Sequence, residues 1–176
     1  ALAVAKLSPR KRVGDLIAAA RGLTLVVAGE GAEGEALRAA AAGETVRFLG
    51  FVNIDALPAL YAAADVFVHP AENEPYGMVL LEAAIVGLPL IATEGTGAVG
   101  PTAIARPGVN ALVYRAGDTA ALSLHLARLR DDARLRDAMA RKSLLLSLDH
   151  EGEKSVAAVL AAAALGKATS RDLPSG

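Results

Sequence analysis

The 176-residue chain contains no cysteine and no tryptophan. Without cysteine there can be no disulfide, no thiolate nucleophile and no cysteine-based metal site. Aromatic residues make up only 3% of the chain, too few for the stacked aromatic cleft of a sugar-binding lectin. Neither sign of charge dominates: 18 Lys and Arg face 19 Asp and Glu, for a net charge of −1. A nucleic-acid binder would carry a basic face. The strongly apolar stretches, such as Val156 to Leu165, fall short of the roughly 18 residues of a membrane span. The N-terminus lacks the layout of a signal peptide. These absences together predict a soluble chain in the cytoplasm.

What is present is a hydrophobic content of 53% in 176 residues, enough for one domain with a full core and too little for two. Abundant Ala, Leu, Arg and Gly point to a helix-rich α/β protein. The chain opens as ALAVAK, Ala1 to Lys6, directly in a predicted strand and without an initiating Met; an excised fragment is expected. Further strands are predicted at Leu23 to Ala28, Val46 to Leu49, Val66 to Val68, Leu90 to Ala92 and Ala111 to Tyr114. Ser8-Pro9-Arg10-Lys11 reads as a loop whose Ser or Pro precedes a helix running to about Ala20, and further helices are predicted from Glu33 to Ala41, Asp55 to Ala64, Asp118 to Arg130, Ala133 to Leu146 and Glu151 to Leu165. Leu57, Leu60 and Tyr61 form a core stripe, as do Leu122, Leu126 and Leu129. Residues 1–165 are expected to form the domain, and the polar, breaker-rich stretch 166–176 a disordered tail.

The chain turns on residues 65–93. Val66-Phe67-Val68 and Leu90-Ile91-Ala92 are short apolar runs without alternation, as expected of strands covered on both faces. Between them, Met78 to Gly87 reads as a helix that is apolar almost all round and therefore buried. Glu82 sits in its middle, where an unpaired carboxylate forfeits roughly several kcal/mol of hydration; it needs a partner. Glu74 stands eight positions earlier, in the loop that feeds this helix. Glu82 lies on the order of 9 Å into the helix, leaning back toward the N-terminus, so both carboxylates can face the mouth of the strand-loop-helix turn. That mouth also offers free N–H groups and the positive end of the helix dipole, a seat for phosphate. Two carboxylates flanking a phosphate seat suit a nucleoside diphosphate sugar.

A competing signal is GEGAEG, whose Gly29, Gly31 and Gly34 satisfy the dinucleotide fingerprint G-x-G-x-x-G. A Rossmann oxidoreductase expects an acid at the end of the next strand, and TVRFLG, Thr45 to Gly50, ends without one. A tight strand-to-helix turn with positive φ is the other role for Gly29 and Gly31. His69 has two readings, a ligand contact or a packed histidine; His125 and His150 have no ligand-spaced partner. No metal site is readable.

The string HPAENEPYGMVLLEA, His69 to Ala83, with seven residues between Glu74 and Glu82, resembles the two-glutamate motif of the retaining GT-B glycosyltransferases of group 1, or family 4. AKLSPRKRVGDLIAA (Ala5 to Ala19) resembles that family's first strand and loop, VVAGEG (Val26 to Gly31) its second and VRFLGFV (Val46 to Val52) its third. GVNALVYRAGD (Gly108 to Asp118) resembles the stretch before its final helices. The match runs over about residues 2–165. It implies half of a GT-B fold: a doubly wound, mainly parallel, six-stranded Rossmann-like sheet with helices on both faces and a helical C-terminal tail.

The resemblance also implies roles. Lys6 and Lys11 would bind the donor diphosphate, Lys6 departing from the commoner Arg, so that a point charge replaces a two-pronged grip. Glu82 would hold ribose hydroxyls and Glu74 a hydroxyl of the donor hexose. The N–H groups of Tyr76, Gly77, Met78 and Val79 would face the phosphates, Gly29 and Gly31 would lie close to the donor, and Phe51 and Val52 would border the base, with Phe51 equally readable as core. GAVGPT, Gly97 to Thr102, departs from the family's Gly-Gly pair and following Glu. The implied function is transfer of a hexose from a UDP-, GDP- or similar nucleoside diphosphate sugar to a glycan or lipid-linked acceptor, with retention and without a metal cofactor. The acceptor would bind an absent N-terminal domain, the fragment alone would be inactive, and the full-length protein could sit peripherally at the inner face of the membrane. A GT-B nucleotide-sugar epimerase, the oxidoreductase using Gly29, Gly31 and Gly34, and a non-catalytic interaction domain are the alternatives.

Overall fold

The computed structural model describes residues 1–149; the predicted helix from Glu151 to Leu165, the predicted tail 166–176 and His150 lie outside them. Among the described residues six strands form one sheet: β1 (Leu2–Val4), β2 (Leu25–Ala28), β3 (Val46–Gly50), β4 (Phe67–His69), β5 (Leu90–Thr93) and β6 (Ala111–Tyr114). The helices are α1 (Val13–Ala19), α2 (Gly34–Ala40), α3 (Leu57–Ala62), α4 (Met78–Ile85), α5 (Thr119–Asp131) and α6 (Ala133–Asp149).

Every strand pair is parallel and the order is β3-β2-β1-β4-β5-β6. The chain winds outward from β1 to β3, then returns to β1's other side and winds outward again. Between β1 and β4 the winding reverses, and at such a point the loops leaving adjacent strands diverge and open a crevice.

Both faces of the sheet are covered, which explains why its strands do not alternate apolar with polar. Ala3, Leu25, Val27, Val68, Ile91 and Leu112 face α1 and α5, meeting Leu16, Leu122, Leu126 and Leu129. Leu2, Phe67, Leu90, Ala92 and Ala111 face the other way, toward Tyr61 of α3 and Leu80, Ala83 and Ala84 of α4. α6 bridges the two layers, with Met139 in the first cluster and Leu146 in the second. Each fully buried leucine contributes about 1.5–3 kcal/mol by leaving water.

One expectation holds in outline and one is corrected. The Ser8–Lys11 loop leads into α1, which ends at Ala19, and the two are separated at Arg12, whose φ of 49° is left-handed and has no place in a continuous right-handed helix. A 3₁₀ turn at Pro9–Lys11 closes with the Arg12 N–H on Pro9 O at 3.1 Å, and the Arg12 guanidinium then grips Asp15 in the first turn of α1 at 2.7 Å. α4, expected to be buried all round, is buried only along Leu80, Ala83, Ala84 and Ile85. Met78 is 59% exposed because the first turn stands at the C-terminal edge of the sheet rather than over its middle. Asp118 caps α5 as foreseen, accepting from the Ala121 N–H at 2.9 Å.

Candidate functional site

The crevice at the winding reversal is built from three loops. After β1 the chain stays extended beside β2, with the Ala5 N–H on Ala28 O at 3.0 Å and the Leu7 N–H on Glu30 O at 2.9 Å. Lys6, between them, is exposed. Gly29 and Gly31 permit this approach, since a Cβ would lie 1.9 Å from Ala5 O and 2.1 Å from Leu7 O respectively. Gly29 has a φ of 132°. Gly31 needs the space rather than the positive φ foreseen for both.

The second loop follows β4 and is stitched to the first: the Glu72 N–H donates to Arg10 O at 2.9 Å, and Arg10 Nη2 to Asn73 O at 3.2 Å. The third, after β5, clasps Glu74. The Glu74 N–H donates to Gly95 O at 3.3 Å and the Gly97 N–H to Glu74 O at 2.7 Å. A Cβ at Gly95 or Gly97 would lie 2.3 Å from Glu72 O or 2.0 Å from Pro75 O, so this clasp demands glycine. Thr93, fully buried, donates its hydroxyl to Ala71 O at 2.5 Å. Thr93, Gly95 and Gly97 add to the candidate site residues; the alternation of glycines at 95 and 97 is the sequence signal for the clasp.

The loops bring Lys11 against Glu74, the ammonium pairing with Oε2. That hydrogen bond holds the Glu74 carboxyl below the usual carboxylate range, with burial opposing and the Tyr76 backbone N–H assisting. His69, the last residue of β4, lies behind them with Nε2 3.9 Å from the same Glu74 oxygen. It is 2% exposed, and neither ring nitrogen has a hydrogen-bond partner. Burial, then the charge of Lys11, lowers its pKa to about 4 against the pull of Glu74, so the ring is neutral near pH 7.

Gly77, with a φ of 63°, opens α4 and supplies no side-chain cap. The first turn of α4 thus carries the dipole's positive end, flanked by the exposed Tyr76 and Met78, with Val79 half-buried. One turn further in, Glu82 meets the partner its position required: the Tyr61 hydroxyl donates to Oε2 at 2.7 Å. Burial, reinforced by Glu82, pushes the Tyr61 hydroxyl above the usual tyrosine range. Beyond β3, Phe51 is 76% exposed, so it is not core, and Val52 is half-buried. The structure therefore joins Lys11 directly to Glu74, leaves Lys6 exposed just past the end of β1, and sets Phe51 and Val52 two strands away. Among the described residues no group of three His, Asp or Glu is placed to hold a metal, and no helix is long and apolar enough to cross a membrane. A cavity of about 370 Å³ lined by Ala1, Leu23, Leu60, Asp65 and Leu126 opens at the opposite end of the strands, away from these groups.

A six-stranded parallel sheet whose winding reverses between β1 and β4, covered by helices on both faces, defines a Rossmann-like α/β domain of the kind found in GT-B proteins. Residues 1–144 match the family model of the glycosyl transferases group 1, and the chain belongs to that family. It is 35% identical over 144 residues to a GDP-mannose-dependent alpha-mannosyltransferase of Mycolicibacterium smegmatis, covering 81% of this chain and 37% of that protein. It is 36% identical over 117 residues to a D-inositol 3-phosphate glycosyltransferase of Salinispora arenicola, covering 66% of this chain and 25% of that one. The chain thus spans well under half the length of these relatives. Its fold matches the C-terminal domain of a glycosyl transferase group 1 family protein of Francisella tularensis, with a TM-score of 0.73 at 23% identity, over 85% of this chain and 84% of that one. It also matches HepE of Anabaena, solved in complex with UDP, with a TM-score of 0.75 at 23% identity, over 98% of this chain and 48% of that one. Family membership favours the glycosyltransferase reading over the epimerase and the oxidoreductase.

Proposed function

We propose that this chain is the donor-binding domain of a glycosyltransferase that moves a hexose from a nucleoside diphosphate sugar to a glycan or lipid-linked acceptor. The observation that carries the proposal is the Lys11–Glu74 pair at the winding reversal, beside the uncapped start of α4. In this reading the base lies by Phe51 and Val52, with Gly29 and Gly31 allowing close approach. The ribose meets Glu82, the diphosphate meets Lys6, Lys11 and the N–H groups of residues 76–79, and the hexose meets Glu74. The loops after β3, β1 and β4 lie in that order along the sheet edge, which supports placing the base at one end of the ligand and the hexose at the other.

As the glycosidic bond breaks, the departing diphosphate gains charge. The α4 dipole is fixed beside the place where that charge would develop, and Lys6 and Lys11 stand within reach of it once the diphosphate is bound, so that the step itself needs little reorganisation; this assignment calls on no metal. A relative named as GDP-mannose-dependent and a neighbour solved with UDP support the donor class. The acceptor would bind a further domain, the configuration would be retained, and the protein would act in the cytoplasm, peripheral to the membrane where its acceptor is a lipid.

Calorimetric titration of the chain with UDP, GDP, ADP and NAD tests the reading. Binding of UDP or GDP with no response to NAD is expected. NAD binding alone would restore the oxidoreductase, and silence toward all four would leave an interaction domain. Sugar transfer by the isolated chain would overturn the division of labour between domains.

A further inference from the structure

Among the described residues, His69 is the one buried titratable group at the crevice that the proposed chemistry leaves without a task. Its position is fixed by β4, where it pairs with Ala92 of β5, and its ring is 2% exposed. A neutral imidazole carries one N–H and one lone pair, and buried polar groups are ordinarily satisfied. Here both nitrogens are bare. The charged groups that face the ring are Lys11, from the loop after β1, and Glu74, from the loop after β4.

Lys11 and His69 aim at the same atom, Glu74 Oε2. Lys11 holds it, and His69 Nε2 stands at 3.9 Å, about 1 Å longer than a typical N–H···O hydrogen bond. A diphosphate entering the crevice offers Lys11 two negative groups in place of one. Once the ammonium turns to the phosphates, Glu74 Oε2 loses Lys11; the Tyr76 backbone N–H still assists the carboxyl, and His69, in its Nε2–H tautomer, is the side chain placed 3.9 Å away to replace the lost donor. A small rotation of the Glu74 side chain closes the gap and satisfies both groups.

We propose that His69 is the positioning residue for Glu74: its Nε2–H takes the carboxylate over from Lys11 when the donor's diphosphate binds, and thereby aims Glu74 at the donor hexose. This rests on the donor-binding reading above. It explains why an imidazole is buried bare behind an ion pair, a placement that would otherwise only weaken the fold.

The test is a double-mutant cycle on the 176-residue chain, using UDP-glucose and GDP-mannose as probes with UDP and GDP as controls. His69→Phe keeps a ring of similar shape without its nitrogens, and is expected to weaken sugar-nucleotide binding roughly tenfold. In the Glu74→Ala background the same change is expected to have less than about a twofold effect, and His69→Gln, which returns an N–H near Nε2, to bind like the wild type. Equal losses in both backgrounds, or no loss in either, would overturn the proposal. A wild-type chain that binds none of the four nucleotides would instead overturn the donor-binding reading. Should His69→Phe not fold, nitrogen-correlated NMR of the wild-type histidines decides. The Nε2–H proton of His69 is expected to move downfield when UDP or GDP binds, and an unmoved signal at saturating nucleotide would refute the exchange.

Discussion

The Tyr61 hydroxyl donates to Glu82 Oε2 across 2.7 Å, tying α3 to α4. Tyr61 is itself 2% exposed and lies against Phe67 of β4, the ring centroids 5.5 Å apart, so this donor does not move. Glu82 is thereby held in one orientation before any ligand arrives.

Tyr61→Phe should therefore cost about 1–2 kcal/mol, the range for a hydrogen bond to a charged acceptor less some relaxation. It should also loosen UDP or GDP binding a fewfold, since Glu82 must then be ordered by the ligand. Glu82→Ala is the harsher change: it leaves a buried hydroxyl unpaired, costing about 1–3 kcal/mol, and should weaken nucleotide binding on the order of tenfold or more. Urea denaturation beside calorimetry separates the two effects. Unchanged nucleotide affinity in Glu82→Ala would remove Glu82 from the site.

Backbone proximity sets a second expectation. Gly29→Ala forces a methyl to 1.9 Å from Ala5 O at a φ of 132°, and relief requires β1 and β2 to part. The cost should be at least about 3 kcal/mol. Gly22→Ala makes a useful control: its φ is 75° but nothing lies within 4 Å, so about 1 kcal/mol of backbone strain is expected. Thermal melts of the two variants should differ clearly, and similar melting points would mean that the strands adjust freely.

Much of this architecture is legible in the chain. The unalternating apolar runs around Phe67 and Ile91 announce strands covered on both faces, and the mid-helix Glu82 announces a need for a partner. The partner's identity is not legible. Tyr61 reads as core by its helical spacing, and core it is; only packing α3 beside α4 reveals that its one polar atom reaches Glu82. The same holds for Gly95 and Gly97, whose necessity comes from Glu72 O and Pro75 O, about twenty residues away in sequence. Phe51, ambiguous between core and ligand contact, proves exposed because β3 is an edge strand. Arg12 illustrates a local failure: nothing in S-P-R-K-R-V announces a left-handed residue, which follows from fitting a turn between β1 and α1.

Acid stability should carry the mark of His69. Its pKa is about 4 when folded against 6.5 when free, so between those values the unfolded chain takes up a proton that the native state refuses. Stability is then complete above about pH 6.5, falls as the pH drops, and levels off near pH 4, with up to about 3 kcal/mol at stake. Glu74 is also depressed, and its contribution is lost at lower pH, below the ordinary carboxylate range of about 4.3. Urea midpoints at pH 7, 6 and 5 should thus fall in the wild type and fall less in His69→Phe. Parallel slopes would mean that His69 accepts its proton without penalty.

The Lys11–Glu74 pair makes a prediction whose sign is not obvious. Each side chain of the pair neutralises the other, and a diphosphate must compete with Glu74 for Lys11. The pair is partly solvated, with 25% of the Lys11 and 18% of the Glu74 side chain exposed, so its breaking should cost no more than about 1 kcal/mol. Glu74→Gln removes the competing charge while keeping the shape. It should therefore tighten the binding of free UDP or GDP by about two- to fivefold, the equivalent of up to ~1 kcal/mol, even though it removes a residue assigned to the ligand. Lys11→Gln should do the opposite, weakening the same nucleotides and flattening their salt dependence, because one phosphate contact has gone. Isothermal titrations at low and moderate ionic strength measure both. If Glu74→Gln weakened the free diphosphates as much as Lys11→Gln does, Glu74 would be holding the phosphate seat together rather than guarding the hexose.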